Sequence, residues 1–146
     1  MKAKELFPPA AKARIEKAIE EAELATSGEI RLHLDDKCKG EVLDRAAFVF
    51  EKLEMHKTDL RNGVLFYLAV EDRKFAIIGD AGINQKVPAT FWNEIKEQCI
   101  AGFKEGKFEE ALASGIVAAG EQLKAHFPYQ DDDVNELSNE ISFGND

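Results

Sequence analysis

The chain has few cysteines, no excess of positive charge and no long apolar run, and each of these absences narrows its possible functions. Cys38 and Cys99 are its only cysteines, which is too few for a disulfide framework. With no secretory signal visible, they read as free thiols in a reducing compartment, and the expected location is cytoplasmic unless an export signal has been removed. No stretch approaches the ~18 apolar residues that a membrane span requires. Basic residues number 19 against 28 acids, for a net charge of −9. Six of those acids lie between Gln130 and Asp146, where there is no base, so the remaining body carries only about −3 (−9 minus −6). A nearly neutral body with an acidic end lacks the positive footprint that nucleic acid demands, and it lacks attraction for an anionic membrane. It suits divalent cations or a basic protein partner. No Gly-x-Ser-x-Gly elbow is present. Gly79-Asp80-Ala81-Gly82 does not carry the dinucleotide-binding glycine pattern. Ser27 and Ser114 have no histidine near them in sequence.

What is present fits one domain, since 146 residues fall within the roughly 100–200 typical of one. Pro8-Pro9 closes an irregular start over residues 1–9. Ala10 to Ala25 then reads as an amphipathic helix, with Ala11, Ile15, Ala18, Ile19 and Ala22 on one face. Gly28 suits a left-handed helix stop. Glu29 to Leu34 alternates, with Ile30, Leu32 and Leu34 on one side and Arg31 and His33 on the other, as in a strand. Asp35 to Gly40 reads as a loop, and Glu41 to Met55 as a second helix. Gly63 to Val70 is an almost continuous apolar run, the pattern of a central strand covered on both faces. Glu71-Asp72-Arg73 links it to a strand over Lys74–Gly79, and so short a link makes an antiparallel hairpin. Asp80 to Asn84 reads as a turn-rich loop. Thr90 is placed to cap a helix running to about Phe103, and a last helix covers Lys107–His126. From Asp131 onward the chain is acidic and poor in apolar residues, so 129–146 is expected to be a disordered tail. The fold class is therefore α/β, with three strands located.

A right-handed crossover makes the first two strands parallel. Glu29, the approach to strand two and Asp80 then share one end of the sheet. Glu29, Asp59, Asn62 and Asp80 supply three carboxylates and an amide, the oxygen donors that a hard cation such as Ca²⁺ takes, and glycines nearby allow backbone carbonyls to approach. Capping and solvation of strand ends is the competing reading. At the opposite end His33, Asp35, Asp36 and Cys38 look like transition-metal ligands. Without a second ligand pair they read as a solvated loop. Cys99 sits on the apolar stripe of its helix, as a buried inert thiol does. Phe91-Trp92 reads as core.

Several stretches then line up: Thr26-Ser27-Gly28-Glu29-Ile30, Lys57 to Leu65, Arg73 to Ile83, Phe91-Trp92 and Phe103 to Phe108. In this order they resemble the TPM domain family, which includes thylakoid-lumen photosystem-repair proteins and an acetylcholine-receptor accessory protein. The resemblance covers roughly Leu6 to Pro128. It implies a three-layer α/β/α sandwich with a small, four-stranded mixed sheet flanked by helices, so one strand is left unplaced. It also implies a divalent-cation site at the loop end of the sheet, Ca²⁺ before Mg²⁺, and the acid phosphatase activity proposed for plant members. By position Thr58, Arg61 and Asn62 match the family's approach to strand two, and Asp80 its exit from strand three. Many relatives carry Asp directly before the Asn-Gly pair, where this chain has Arg61. Two functions follow as expectations. One is a noncatalytic, cation-binding module, monomeric itself and docking an unidentified protein. The other is a metal-dependent phosphatase in which Thr58 and Arg61 contact the phosphate. No nucleophile or general base for the second is evident.

Overall fold

A computed structural model describes residues 2–88, 90–129 and 138–144. Helices α1 (Ala3–Leu6) and α2 (Pro9–Glu23) lead into β1 (Glu29–Asp35). Helix α3 (Val42–Lys52) and a 3-10 turn (Met55–Lys57) connect β1 to β2 (Gly63–Ala69), which is followed by β3 (Lys74–Gly79). Helices α4 (Ala81–Asn84), α5 (Asn93–Lys104) and α6 (Phe108–His126) precede a short β4 (Ser142–Phe143). The sheet order is β3-β2-β1-β4. Strands β1 and β2 run parallel from Glu29↔Gly63 to Asp35↔Ala69, and β3 is antiparallel to β2.

The strand patterns decide the layers. Ile30, Leu32 and Leu34 of β1 join Val64, Phe66 and Leu68 of β2 in the larger core, under α2, α5 and α6. Leu65, Tyr67 and Ala69 face the other way and pack with Ala46 and Val49 of α3. Strand β2 is buried along its whole length, as its unbroken apolar run requires. Helices thus cover both faces of a four-stranded mixed sheet, the α/β/α sandwich.

Several expectations change. The stretch Asp80 to Asn84, read as a loop, holds helix α4 behind its Asp80 N-cap, and α5 starts behind Trp92 rather than Thr90. The first nine residues are not irregular: α1 forms because Ala3 and Phe7 are drawn into the core, and the Ala3 N–H donates to Asp36 Oδ1 at 2.7 Å. The unplaced strand is β4, which lies in the segment read as a disordered tail. It pairs in parallel with β1 through His33↔Ser142 and Leu34↔Phe143. Buried Ile141 anchors it, and the Ile141 N–H donates to Glu16 Oε2 at 3.0 Å. Average composition hid these few apolar residues among acids. The rest of the expected tail, 130–137 and 145–146, lies outside the described residues. Gly28, finally, is not left-handed; a Cβ there would stand 3.0 Å from Leu123 Cδ1.

Ile141→Ala is expected to destabilise the domain by roughly 2–4 kcal/mol, the usual range for truncating a buried isoleucine. Urea unfolding followed by circular dichroism measures it. An unchanged midpoint would mean that β4 does not hold to the sheet in solution.

Candidate functional site

The second face of β1 carries Glu29, Arg31, His33 and Asp35 by strict alternation. Glu29 and Asp35 therefore stand at opposite ends of one row, and each end gathers polar partners.

At the Glu29 end the approach to β2 is a tight turn. The Asn62 N–H donates to Thr58 Oγ1 at 3.2 Å, and the Arg61 N–H donates to the Thr58 carbonyl at 3.2 Å. Arg61 takes a left-handed conformation, with φ of 52°, which is uncommon for a residue other than glycine. The turn sits directly on α4, where the Gly82 N–H donates to the Arg61 carbonyl at 2.8 Å. Only glycine fits at position 82, because a Cβ would overlap the Leu60 and Arg61 carbonyl oxygens. The Asn62 amide donates to the Ser27 carbonyl at 3.2 Å, and the Glu29 N–H donates to the Asn62 carbonyl at 3.3 Å. Glu29, Thr58 and Asn62 are buried.

Arg61 reaches across this turn to Asp80. Its Nε donates to Asp80 Oδ2 at 2.7 Å and its Nη2 to Asp80 Oδ1 at 2.8 Å, a two-pronged pairing of fixed geometry. The bond from Asp80 raises the guanidinium's already high pKa. Asp80 is only 6% exposed and also accepts the Ala81 N–H at 2.8 Å, as the N-cap of α4. Both its oxygens are thus engaged.

The structure brings Glu29, Asn62, Thr58, Arg61 and Asp80 to one end of the sheet, with Asp59 exposed on the outside of the turn. Among the described residues no three His, Cys, Asp or Glu side chains gather as a metal centre. Two oxygens there do suit a hard cation. Asn62 Oδ1 and Ser27 Oγ are buried with no hydrogen-bond partner among the described residues, a condition that ordinarily calls for an ion or water.

Sequence reasoning missed Glu23. Its Oε2 accepts the Ile30 N–H at 2.8 Å, and its carboxyl is hydrogen-bonded to that of Glu29. Burial pushes Glu23 up most, the Glu29 carboxyl adds to this, and the Ile30 N–H pulls it partly back, leaving it at about 8. The one sequence signal was an acid in the last turn of a helix, where the macrodipole disfavours it.

The cluster read as a solvated loop is in fact largely buried. His33, Asp35 and Cys38 are each at most 5% exposed. Asp35 accepts from His33 Nε2 at 2.9 Å, from Arg45 Nε at 2.8 Å and from the Tyr67 hydroxyl at 2.5 Å. Burial alone would raise the Asp35 carboxyl, but these donors outweigh it and hold it well below the usual carboxylate range. Burial and the same contact push Tyr67 up. The pattern failed here because Arg45 and Tyr67 come from other elements. Cys99 is buried as expected, and burial pushes its thiol up to about 11. Trp92 is buried too.

The TPM domain profile matches residues 1–122. The chain belongs to the TPM domain family. Strand β4 lies beyond the matched stretch. Among solved structures, the TPM-like BA42 protein of the psychrophilic bacterium Bizionia argentinensis is 45% identical. That match covers 98% of this chain and 99% of BA42, with a TM-score of 0.91. The N-terminal domain of a P. gingivalis protein shares the fold, with a TM-score of 0.67 at 16% identity over 84% of this chain and 79% of that one. No curated protein matches the chain. No helix among the described residues is long and apolar enough to cross a membrane.

Two outcomes follow for this TPM domain. Asp35→Asn should cost about 3 kcal/mol in urea unfolding, because it leaves buried donors and Arg45 without a charged acceptor; a loss below the error of the method would deny the network its weight. Glu23 has the opposite pH signature. The folded state binds its proton between 4.5 and about 8, so this contribution to stability falls as pH rises through that window. In EDTA the unfolding midpoint should decline from pH 5 to pH 8, and Glu23→Gln should flatten the decline; an identical slope in the variant would remove Glu23 as its source.

Proposed function

We propose that this TPM domain is a noncatalytic binding module with a divalent-cation site at the Glu29 end of the sheet, and that Arg61 holds the site closed. The observation that carries this reading is the two-pronged Arg61–Asp80 pair. A guanidinium supplies positive charge to a buried carboxylate, as a metal ion would. Glu29, Asn62 and Asp80 would hold the ion, with the Ser27 hydroxyl beside them; Asp59 is exposed on the turn. The mixture of carboxylate, amide and hydroxyl oxygens suits Ca²⁺, which tolerates irregular shells, better than Mg²⁺, which demands an octahedron. The ion would supply charge that orders the turn between Thr58 and Asn62.

Arg61 and a cation compete for the same oxygens of Asp80. While the pair is formed, Arg61 is tied down. Once Asp80 is engaged elsewhere, Arg61 is free to contact a partner, and it is already half-exposed at the rim. The surface around the turn then changes with cation concentration, which is the behaviour of a docking module rather than of a hydrolase. The metal-dependent phosphatase reading would set the same released Arg61 fork on a phosphate.

Backbone amide shifts during Ca²⁺ titration test the proposal. Shifts are expected at Glu29, Thr58 to Gly63 and Asp80 to Gly82, with affinity about tenfold higher in Arg61→Gln, because a competing internal ligand is removed, and lost in Asp80→Asn. Absence of these shifts from both the native chain and Arg61→Gln would sink it. Ca²⁺-dependent turnover of p-nitrophenyl phosphate would select the phosphatase reading instead.

A further inference from the structure

Strand β1 is the point where the chain reverses its progress across the sheet. From β1 it crosses through α3 to β2 on one side, and it returns through α5 and α6 to β4 on the other. All three of these strands are parallel. In open α/β sheets ligands bind in the crevice outside the carboxyl ends of the strands at such a reversal. Here those ends are Asp35, Ala69 and Phe143, roughly 20 Å along β1 from Glu29 at ordinary strand rise.

A cavity of about 590 Å³ opens at that place, within the size range of small-molecule sites. Asp35 lines it along with Gly144, which has no room for a Cβ against the Asp35 carboxylate. Lys2, Lys37, Lys39 and Arg45 also line it. The acids beside them are largely committed. Asp35 is occupied by His33, Arg45 and Tyr67, and Asp36 accepts the Ala3 N–H and lies 3.7 Å from Lys2 Nζ. Glu71 completes the lining. Lys37 and Lys39 are exposed and make no ion pair with another described residue.

The loop that carries these two lysines is held in place. The Cys38 N–H donates to Asp72 Oδ2 at 2.7 Å. Lys74 Nζ donates to the Cys38 and Gly40 carbonyls at 2.9 and 2.7 Å. Cys38 turns inward and is 3% exposed. Its two lysine neighbours are thereby presented on a preorganised loop, which lowers the cost of binding. Arg45 is fixed on Asp35 by Nε and Nη2.

We propose that this cavity is an oxyanion site that takes a small phosphate-bearing molecule, with Lys37 and Lys39 supplying mobile charge beside the Arg45–Asp35 pair. The site is independent of the cation site at the other end of β1.

Titration of the full chain with inorganic phosphate at constant ionic strength, followed by amide shifts with a chloride control, tests it. Saturable shifts are expected at Asp36 to Gly40, Arg45 and Gly144, with none at Arg61 or Asn62. The exposed double variant Lys37→Gln/Lys39→Gln should keep the native spectrum and bind about tenfold more weakly or worse, since charge-assisted contacts are lost. Linear shifts that chloride reproduces, saturable shifts centred on Arg61, or unchanged affinity in the double variant would each overturn the proposal.

Discussion

The structure depends on a single constraint: β1 sits between two neighbours and presents charged side chains on one of its faces. Ile30, Leu32 and Leu34 fill the larger core. The alternate positions Glu29, His33 and Asp35 are each at most 5% exposed, and burying such groups without partners is costly. Partners must therefore come to them. Glu23 and Asn62 meet Glu29, while Arg45, Tyr67 and Ser142 meet the pair His33 and Asp35. The two polar ends of the sheet are two solutions to the same problem.

The solutions differ in what they leave over. At the Asp35 end donors and acceptors are matched, and the acid is held ionised by its neighbours. At the Glu29 end the Glu23 and Glu29 carboxyls share one site and Glu23 is raised, two buried oxygens lack partners among the described residues, and Asp80 depends on a half-exposed arginine. The first end builds a firm floor for a cavity. The second stays electrostatically unfinished, which is where an exchangeable cation would act.

Helix α3 explains why this arrangement is possible. It packs over Leu65, Tyr67, Ala69 and Ala76 of β2 and β3, so β1's polar row is not forced against an apolar helix. Strand β4 on the open flank of β1 brings Ser142 to His33 Nδ1 at 2.9 Å. Two residues of strand, anchored by Ile141, thus complete both the sheet and the network beneath it.

The layers, the three longer strands and their directions were legible in the sequence, because period-2 and period-3.6 patterns record which face is apolar. So was the placement of Glu29, Asn62 and Asp80 at one end, since parallel β1 and antiparallel β3 force it, whereas Asp59, read with them, is exposed on the turn. Not legible were the pairing of Arg61 with Asp80, the company of Glu23 and Glu29, the buried Asp35 network, helix α1 and the fourth strand. Each rests on side chains from separate elements meeting at hydrogen-bond distance, or on a few apolar residues set in an acidic stretch. Local pattern fixes how each element is built, but long-range contacts decide which charge finds which partner.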